Sequence, residues 1–339
     1  MSKKDLAQAK DAHKDEFYTK LSDIEKELVH YREYFRDKIV FCNCDDPYES
    51  NFFKYFALNF NALGLKKLIA TCYDGSPIAQ QELPLFAETE TEPKRKAYKV
   101  EISEVPDLDG NGSTDLTDVQ LLLKSSDHNV KAELKQNGSF DSPECIELLK
   151  QADIIVTNPP FSLFREYLSL LDKYEKQFII IGNTNALTYK ETFHMFQLDK
   201  IRTGYTNFNV GMFFQVPDSW EKYHHIEDGK KMARVSTSCW FTNLPVSRHK
   251  EELILIKKYT PEEYPKYDNY DGINVNTYTD IPCDYPGAIG VPVTFLDKYN
   301  PEQFEIIKFR KGDDDKDLTV NGKSPYFRIL IRNKKPQIS

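Results

Sequence analysis

The sequence predicts an α/β protein in which helices cover a parallel β-sheet, and three observations support this class. Short β-branched runs alternate with longer amphipathic stretches over the first two hundred residues. Apolar residues make up 40% of the 339 positions and aromatic residues 13%, which is enough for a large core. No apolar run approaches the roughly 20 residues that a bilayer-spanning helix needs. We therefore expect a folded cytoplasmic protein with one large domain or two ordinary ones.

Four apolar runs predict the strands of the sheet: residues 38–42, 67–72, 153–157 and 177–182. Helix starts are predicted at residues that can cap a helix N-terminus: Ser22 with Glu25, Ser50, Ser142 before Pro143, Ser162, and Thr188 with Glu191. The helical pattern that follows Ser50 stops at Gly64.

Residues 74–130 interrupt this alternation. The segment contains several prolines, a basic run and an acidic run, so we expect an insertion that is not part of the central sheet. Inside it, Asp107, Asp109, Asn111, Gly112 and Asp118 have the spacing of a twelve-residue calcium loop. The last position is Asp instead of the longer Glu, and a strand-like run precedes the loop. An acidic surface turn without a ligand is therefore the alternative, and we assign no metal.

The composition and the pattern of the sequence change near residue 200. Aromatic-rich runs at 211–216 and 238–241 predict antiparallel strands at the edge of the sheet, and Tyr, Asn, Pro and Gly crowd residues 259–292. Loop-rich modules on a rigid scaffold often carry recognition. We therefore place a core at residues 1–200 and edge strands with a recognition region at residues 201–339.

Charge and cysteine content exclude some functions. The chain has 45 Lys+Arg against 53 Asp+Glu, and this net charge of -8 argues against a protein that coats nucleic acid through bulk charge. A sequence-specific DNA enzyme needs only one basic face, although solvated surfaces carry similar clusters. The basic clusters are residues 248–250, 257–258, 310–311 and 332–335. The six cysteines have the spacing of neither a disulfide framework nor a zinc site, so we expect reduced thiols.

The strongest functional signal is Asn158-Pro159-Pro160-Phe161, directly after a buried apolar strand. Ligands bind at the carboxyl ends of strands in open parallel sheets, and two prolines hold the turn stiff. The side-chain oxygen of Asn158 and the carbonyl of Pro159 can accept both hydrogens of an exocyclic amine, while Phe161 offers a face for a planar base. A plain strand-to-helix turn is the alternative, but so rigid a turn is costly unless it is used.

This motif is similar to the catalytic motif of the amino-methyltransferases that use S-adenosylmethionine. By itself it leaves adenine in DNA, adenine in RNA and glutamine in protein open as substrates. Further blocks resemble the EcoRI-type adenine-N6 DNA methyltransferase family: residues 15–19, 41–47, 50–56, 157–164, 264–270, 290–295, 309–312 and 326–330. The resemblance covers nearly the whole chain apart from residues 74–130 and 205–235.

The resemblance implies a Rossmann-like S-adenosylmethionine-dependent methyltransferase fold with a loop-rich C-terminal recognition module. It implies a monomer that acts on double-stranded DNA, bends it, flips the target adenine and methylates its N6. The catalytic residues would be Asn158, Pro159, Pro160 and Phe161. The cofactor-binding residues would be Phe17, Tyr18, Thr19, Asp45, Asp46, Pro47, Phe140, Asp141 and Asn158. The family has a Gly-Asp-Phe run where this chain has Gly138-Ser139-Phe140-Asp141, so the acid is displaced.

The family implies the site GAATTC and a restriction endonuclease that acts on the same site without a stable complex. Two alternatives remain: a methyltransferase directed at RNA or protein, and a protein that kept the fold but acts mainly by binding.

Overall fold

A computed structural model describes residues 18–44, 50–73, 97–124, 131–216, 218 and 220–337. Within them the strands are β1 (Tyr18–Thr19), β2 (Ile39–Cys42), β3 (Lys67–Cys72), β4 (Tyr98–Ile102), β5 (Lys131–Glu133), β6 (Ile154–Thr157), β7 (Gln177–Asn183), β8 (Arg202–Thr203), β9 (Met212–Gln215), β10 (His225–Glu227), β11 (Lys230–Val235), β12 (Ser238–Thr242), β13 (Gly272–Asn274), β14 (Ala288–Pro292), β15 (Phe304–Phe309) and β16 (Arg328–Asn333). The α-helices are α1 (Leu21–Leu28), α2 (Asn51–Leu58), α3 (Phe60–Leu63), α4 (Leu116–Lys124), α5 (Pro143–Gln151), α6 (Phe164–Lys173) and α7 (Lys190–Gln197).

The chain divides into two compact units. The first comprises Met1–Thr184 and Gly204–Leu244, and the second comprises Asn185–Thr203 and Pro245–Ser339. This division differs from the boundary that we predicted at residue 200. Strands β9 to β12 lie in the first unit because they pair with β1, with β7 and with each other.

A parallel sheet forms the centre of the first unit. Its strand order within the unit is β5-β4-β3-β2-β6-β7-β12, and β3, β2, β6 and β7 run parallel. These four are the predicted strands, and their observed ends agree to within one residue. Their side chains are almost all buried, as expected for strands that helices cover on both faces.

Antiparallel strands extend this sheet on both sides. Strand β12 pairs with β7, which confirms the predicted antiparallel strand near residue 240. On the other side β4 pairs antiparallel with β3, and β5 pairs with β4. The prediction that residues 74–130 stay outside the central sheet is therefore wrong. Residues 98–102 alternate buried and half-buried side chains, and that pattern suits a strand whose outer face is only partly covered.

Two of the predicted helix caps are confirmed, and Gly64 ends the helical region as expected. Ser50 caps α2 by accepting hydrogen bonds from the backbone of Phe52 and Phe53. Ser142 caps α5 in the same way, with Pro143 as its first residue. Gly64 follows α3 with φ +63°, a left-handed conformation that favours glycine.

The other three predicted caps are wrong. Helix α1 begins one residue before Ser22, with Lys20 at its N-cap, and α7 begins after Tyr189. Ser162 lies inside the 3-10 segment Phe161–Leu163, and α6 begins at Phe164 with Leu163 at its N-cap. None of these N-cap side chains makes a capping hydrogen bond. Tertiary packing of the apolar faces therefore sets these starts, because a capping box adds only about 1 kcal/mol.

A second, four-stranded sheet in the first unit has the order β1-β9-β11-β10, and all its pairs are antiparallel. We predicted the aromatic-rich run at 211–216 as an edge strand of the main sheet, and that placement is wrong. Its residues Met212–Gln215 pair with β1 and β11. A hydrophobic pattern predicts a strand but not its partner, which is why the sequence left this pairing undetermined.

The second unit contains a four-stranded mixed sheet with the order β13-β14-β16-β15. Strand β13 runs parallel to β14, whereas β16 runs antiparallel to both β14 and β15. Helix α7 packs beside β15, where the rings of Phe193 and Phe309 are 5.1 Å apart. Long loops connect these strands, as predicted for a loop-rich module.

None of the six cysteines, all of which the structure describes, forms a disulfide, and Cys42 is the buried last residue of β2. None of the described helices combines the length and apolarity that crossing a bilayer requires.

Candidate functional site

The strand order reverses direction between β2 and β6, where a crevice is expected at the carboxyl ends of the strands. From β2 the chain moves outwards to β3 on one side, and it later returns to β6 on the other side. Such a reversal separates the loops at the carboxyl ends of the two strands and opens a crevice between them. Asn43 follows β2 and Asn158 follows β6, so both asparagines lie at this edge.

The turn after β6 contains two consecutive prolines and is closed by a backbone hydrogen bond. Thr157 ends a fully buried strand, and Pro159 is also buried. The carbonyl of Pro160 accepts a hydrogen bond of 3.0 Å from the backbone of Leu163, which closes the short 3-10 turn. The side-chain oxygen of Asn158 is buried. Asn158 therefore stands at the end of the strand, directly before the two prolines and the short turn.

Phe161 has an aromatic neighbour that sequence reasoning missed. The ring of Phe214 in β9 lies 6.2 Å from the ring of Phe161, nearly perpendicular to it. Phe214 is fully buried and is paired in register with Thr19 of β1. The small sheet thus brings the predicted cofactor segment and a second aromatic ring to the Asn158 turn. The aromatic-rich run around residue 213 was the available signal, but its partner strand was unknown.

Two buried polar atoms near these strand ends lack partners among the described residues. The hydroxyl of Thr19 is buried without a hydrogen bond, although the Thr19 carbonyl accepts one of 2.7 Å from the side chain of Asn51. The amide nitrogen of Asn43 is also buried without an acceptor, while its amide oxygen accepts a hydrogen bond from the hydroxyl of Tyr167. Buried polar atoms without partners are costly, so both are suited to a polar ligand.

Phe140 and Asp141 lie in a turn against the end of β3. Gly138 has φ +76°, and a Cβ there would collide with the carbonyl of Cys72, so this close approach requires glycine. Phe140 is buried, and the centre of its ring lies 5.0 Å from that of Tyr167, which also contacts Asn43. Asp141 is exposed and accepts a hydrogen bond from Ser139.

Tyr18 and Thr19 form β1, as described above. The other predicted cofactor-binding residues, Phe17, Asp45, Asp46 and Pro47, lie outside the described residues.

The acidic loop before α4 gathers its carboxylates. One carboxylate oxygen from each of Asp107, Asp109 and Asp118 lies within 4.8 Å of the other two. Asp118 accepts hydrogen bonds from the backbone of Leu108, Asp109 and Asp115. Asp107 likewise accepts from three backbone amides that follow it. Backbone amides of the turn itself therefore donate hydrogen bonds to both carboxylates.

Each of the four predicted basic clusters contains an ion-paired member. The pairs are Arg248 with Asp297, Lys257 with Asp280, Arg310 and Lys311 with Asp317, Arg332 with Glu305, and Lys335 with Glu252. All of them lie in the second unit. These clusters therefore carry much less unpaired positive charge than the sequence suggests.

Comparison with known proteins identifies the family of the chain. The family described as "Adenine-specific methyltransferase EcoRI" matches residues 5–334. The Type II methyltransferase M.EcoRI of Escherichia coli is 48% identical over 338 residues, covering 98% of this chain and 97% of that protein. The Type II methyltransferases M.MgeORF184P of Mycoplasma genitalium and M.MpnI of Mycoplasma pneumoniae are 36% and 34% identical. They cover 97% and 96% of this chain, and 98% and 97% of their own lengths.

No solved structure matches the chain. The family match nonetheless spans almost the whole sequence, and the mixed α/β unit with its large sheet is consistent with the fold of S-adenosylmethionine-dependent methyltransferases. The chain belongs to the EcoRI family of adenine-specific methyltransferases.

Proposed function

We propose that this protein is a site-specific DNA methyltransferase that transfers the methyl group of S-adenosylmethionine to N6 of an adenine flipped out of duplex DNA. The observation that carries the proposal is the Asn158 turn, which stands at the carboxyl end of β6 beside the crevice between β2 and β6. An amine bound there meets two oxygens that accept hydrogen bonds, the side chain of Asn158 and the carbonyl of Pro159.

These acceptors determine how the amine reacts. When both N–H groups of the adenine amine are held by oxygens, its lone pair turns out of conjugation with the ring and towards an electrophile. When bound, S-adenosylmethionine supplies that electrophile as a methyl group on positively charged sulfur. The N–C bond forms as the C–S bond breaks, the electron pair stays on sulfur, and the amine releases one proton to water. Positioning and removal of water do most of the work.

Phe161 is proposed to stack on the flipped base. Its ring is half-buried and packs nearly perpendicular to the ring of Phe214, a contact that restricts its orientation before a base arrives. Base flipping needs such a platform, because the extruded base loses its stacking partners in the duplex.

The residues around the crevice fit the cofactor. The unpartnered hydroxyl of Thr19 and amide nitrogen of Asn43 are available to its polar groups. Phe140 and Asp141 lie in the adjoining turn, and we propose that they hold the adenosine end. Tyr18 and Thr19 are proposed to line the methionine end, together with Phe17, Asp45, Asp46 and Pro47.

We infer that the enzyme works as a cytoplasmic monomer on double-stranded DNA. GAATTC is the first site to test, because the resemblance to the EcoRI family implies it. A cognate restriction endonuclease would act on the same site separately, in a restriction-modification pair.

The proposal is tested by incubating the protein with S-adenosylmethionine and unmethylated duplex DNA, digesting the DNA to nucleosides, and measuring N6-methyladenine by mass spectrometry. Protection from EcoRI cleavage then tests the site. If cofactor binds but no N6-methyladenine forms, the substrate is RNA or protein, or the chain acts by binding alone.

The variant Asn158→Ala tests the role of the amide. We expect kcat to fall roughly 100- to 1,000-fold, as for loss of one preorganised transition-state contact. Cofactor and DNA binding should largely survive. Asn61→Ala is the control, because Asn61 is exposed on α3 and bonds only to the carbonyl of Val105 among the described residues. Unchanged turnover in Asn158→Ala would refute the assigned role.

A further inference from the structure

A buried arginine in the second unit orients two asparagines. Arg328 is only 7% exposed, and no carboxylate pairs with it among the described residues. Its guanidinium instead donates to three neutral oxygens: the side-chain oxygens of Asn274 and Asn276, each at 3.0 Å, and the carbonyl of Tyr326. Burying a cation without an opposite charge is costly, so its neighbours must compensate with well-aligned acceptors.

The hydrogen-bond chemistry fixes the orientation of both amides. Arginine has donors only, so the Asn274 atom that faces Nε must be its oxygen. The hydroxyl of Tyr267 donates to the same oxygen at 3.0 Å. The Tyr267 ring is held against Gly290, where a Cβ would collide with it. The nitrogen of Asn274 therefore points the other way and donates to the oxygen of Asn276 at 3.1 Å.

Asn276 is thereby locked in the same manner. Its oxygen accepts from Arg328 and from Asn274, and these two bonds occupy both lone pairs. Its nitrogen, with two N–H donors, has no acceptor among the described residues. Asn276 is exposed, so these donors are available to an external acceptor.

An exposed aromatic side chain lies on the same network. Tyr326, whose carbonyl Arg328 holds, is 75% exposed. Its ring is stacked on Phe327 at 4.9 Å, and the guanidinium of Arg310 lies 4.5 Å from the other ring, that of Phe327. One arginine thus holds both the Asn276 amide and the backbone of a residue with an exposed aromatic ring, and polar groups with stacking capacity suit nucleic-acid bases.

We propose that Asn276 is a specificity-determining residue that donates a hydrogen bond to an acceptor on a base edge in the major groove. This inference rests on the proposed function. Because its oxygen is already occupied, Asn276 is unable to make the common two-bond pairing of Asn with adenine, which needs one donor and one acceptor. The acceptor it reads is O6 or N7 of guanine, N7 of adenine, or O4 of thymine.

The variant Asn276→Asp distinguishes a role of Asn276 in base recognition from a role in holding the fold. Aspartate keeps the oxygen that Arg328 and Asn274 require, and it gives Arg328 a carboxylate partner, so the melting temperature should stay unchanged or rise. The outward N–H donors become an oxygen. We expect kcat/KM on the cognate duplex to fall roughly 10- to 100-fold, and discrimination among substrates altered at one base pair to be lost at a single position.

Thr277→Asp is the matched control. It adds the same charge at the neighbouring exposed position, where aspartate is a good N-cap for the 3-10 turn Tyr278–Asp280, and it leaves the Asn276 amide intact. An equal loss in both variants would mean simple repulsion from DNA and would overturn the inference. So would a loss in Asn276→Asp that is uniform across all altered sites, or a change below threefold.

The two proposals fail separately. If wild-type enzyme forms N6-methyladenine and Asn276→Asp behaves like wild type, only this inference is overturned. If wild-type enzyme forms none, the proposed function is overturned, and this inference falls with it.

Discussion

His249 is a buried imidazole that burial keeps neutral. It is 5% exposed, and its Nδ1 lies 2.8 Å from the carbonyl of Tyr299, to which the ring donates. Burial lowers the pKa of this side chain, and the hydrogen bonds to Tyr299 and Thr203 only partly oppose that effect. Protonating His249 in the folded protein is therefore unfavourable.

This shift predicts a pH dependence of stability. The folded-state pKa lies below the unfolded value of about 6.5, so the unfolded chain binds the proton more tightly. The contribution of neutral His249 to stability is fully present above the unfolded-state pKa. It is lost as the pH falls from the unfolded-state pKa towards the folded-state pKa. We expect the melting temperature of wild-type protein to fall between about pH 7 and 5 more steeply than that of His249→Gln. His194→Gln, at an exposed position, serves as control, and parallel curves for wild type and His249→Gln would contradict the prediction.

Single residues also show what the sequence reveals about the site. Asn158 was predictable because its neighbours in the chain, two prolines and an aromatic, constrain the turn that carries it. Phe214 and Asn43 were not, because their place beside the site depends on which strands pair. The role of Asn276 depends on a chain of hydrogen bonds from Tyr267 to Arg328, 61 positions apart in sequence, and no local pattern encodes it.

At the scale of the helix, Ser50 and Ser22 form a natural comparison. Both were predicted as N-caps, but only Ser50 accepts backbone hydrogen bonds, at 3.1 and 3.3 Å. We expect Ser50→Ala to lower the free energy of unfolding by about 1 kcal/mol, because two orphan donors of α2 lose their acceptor. Ser22→Ala should change it by less than about 0.5 kcal/mol, since Ser22 is exposed inside α1. Urea denaturation measures both, and equal effects would show that capping is not the cause.

The elements divide into those that local pattern specifies and those that it leaves open. The four parallel strands were predicted to within a residue because each is a continuous apolar run buried on both faces. The helix starts at residues 21 and 190 were missed because packing outweighed a capping motif. Strand β4 was recognised as a strand but not as a member of the sheet, since pairing with β3 depends on an edge that only the assembled sheet presents.

For the whole molecule, charge distribution determines how it should respond to salt. The chain carries a net charge of -8, and each basic cluster of the second unit has an ion-paired member. Few lysines and arginines of these clusters are therefore left to neutralise phosphates. We expect DNA affinity to fall about tenfold between about 50 and 200 mM salt, as for roughly two phosphate contacts. Titrations by fluorescence anisotropy measure this slope, and a loss on the order of a thousandfold would show that the ion pairs rearrange on DNA.

The pairing of β1 with β9 also sets the order of events during synthesis. Thr19 lies opposite Phe214 in this small sheet, so the first segment of the proposed cofactor pocket has no partner strand until a much later one leaves the ribosome. At about 5–20 residues per second, the roughly 200 residues between them take roughly 10–40 s to make. The pocket is thus completed late in translation, and a nascent chain should remain inactive until most of it has been made.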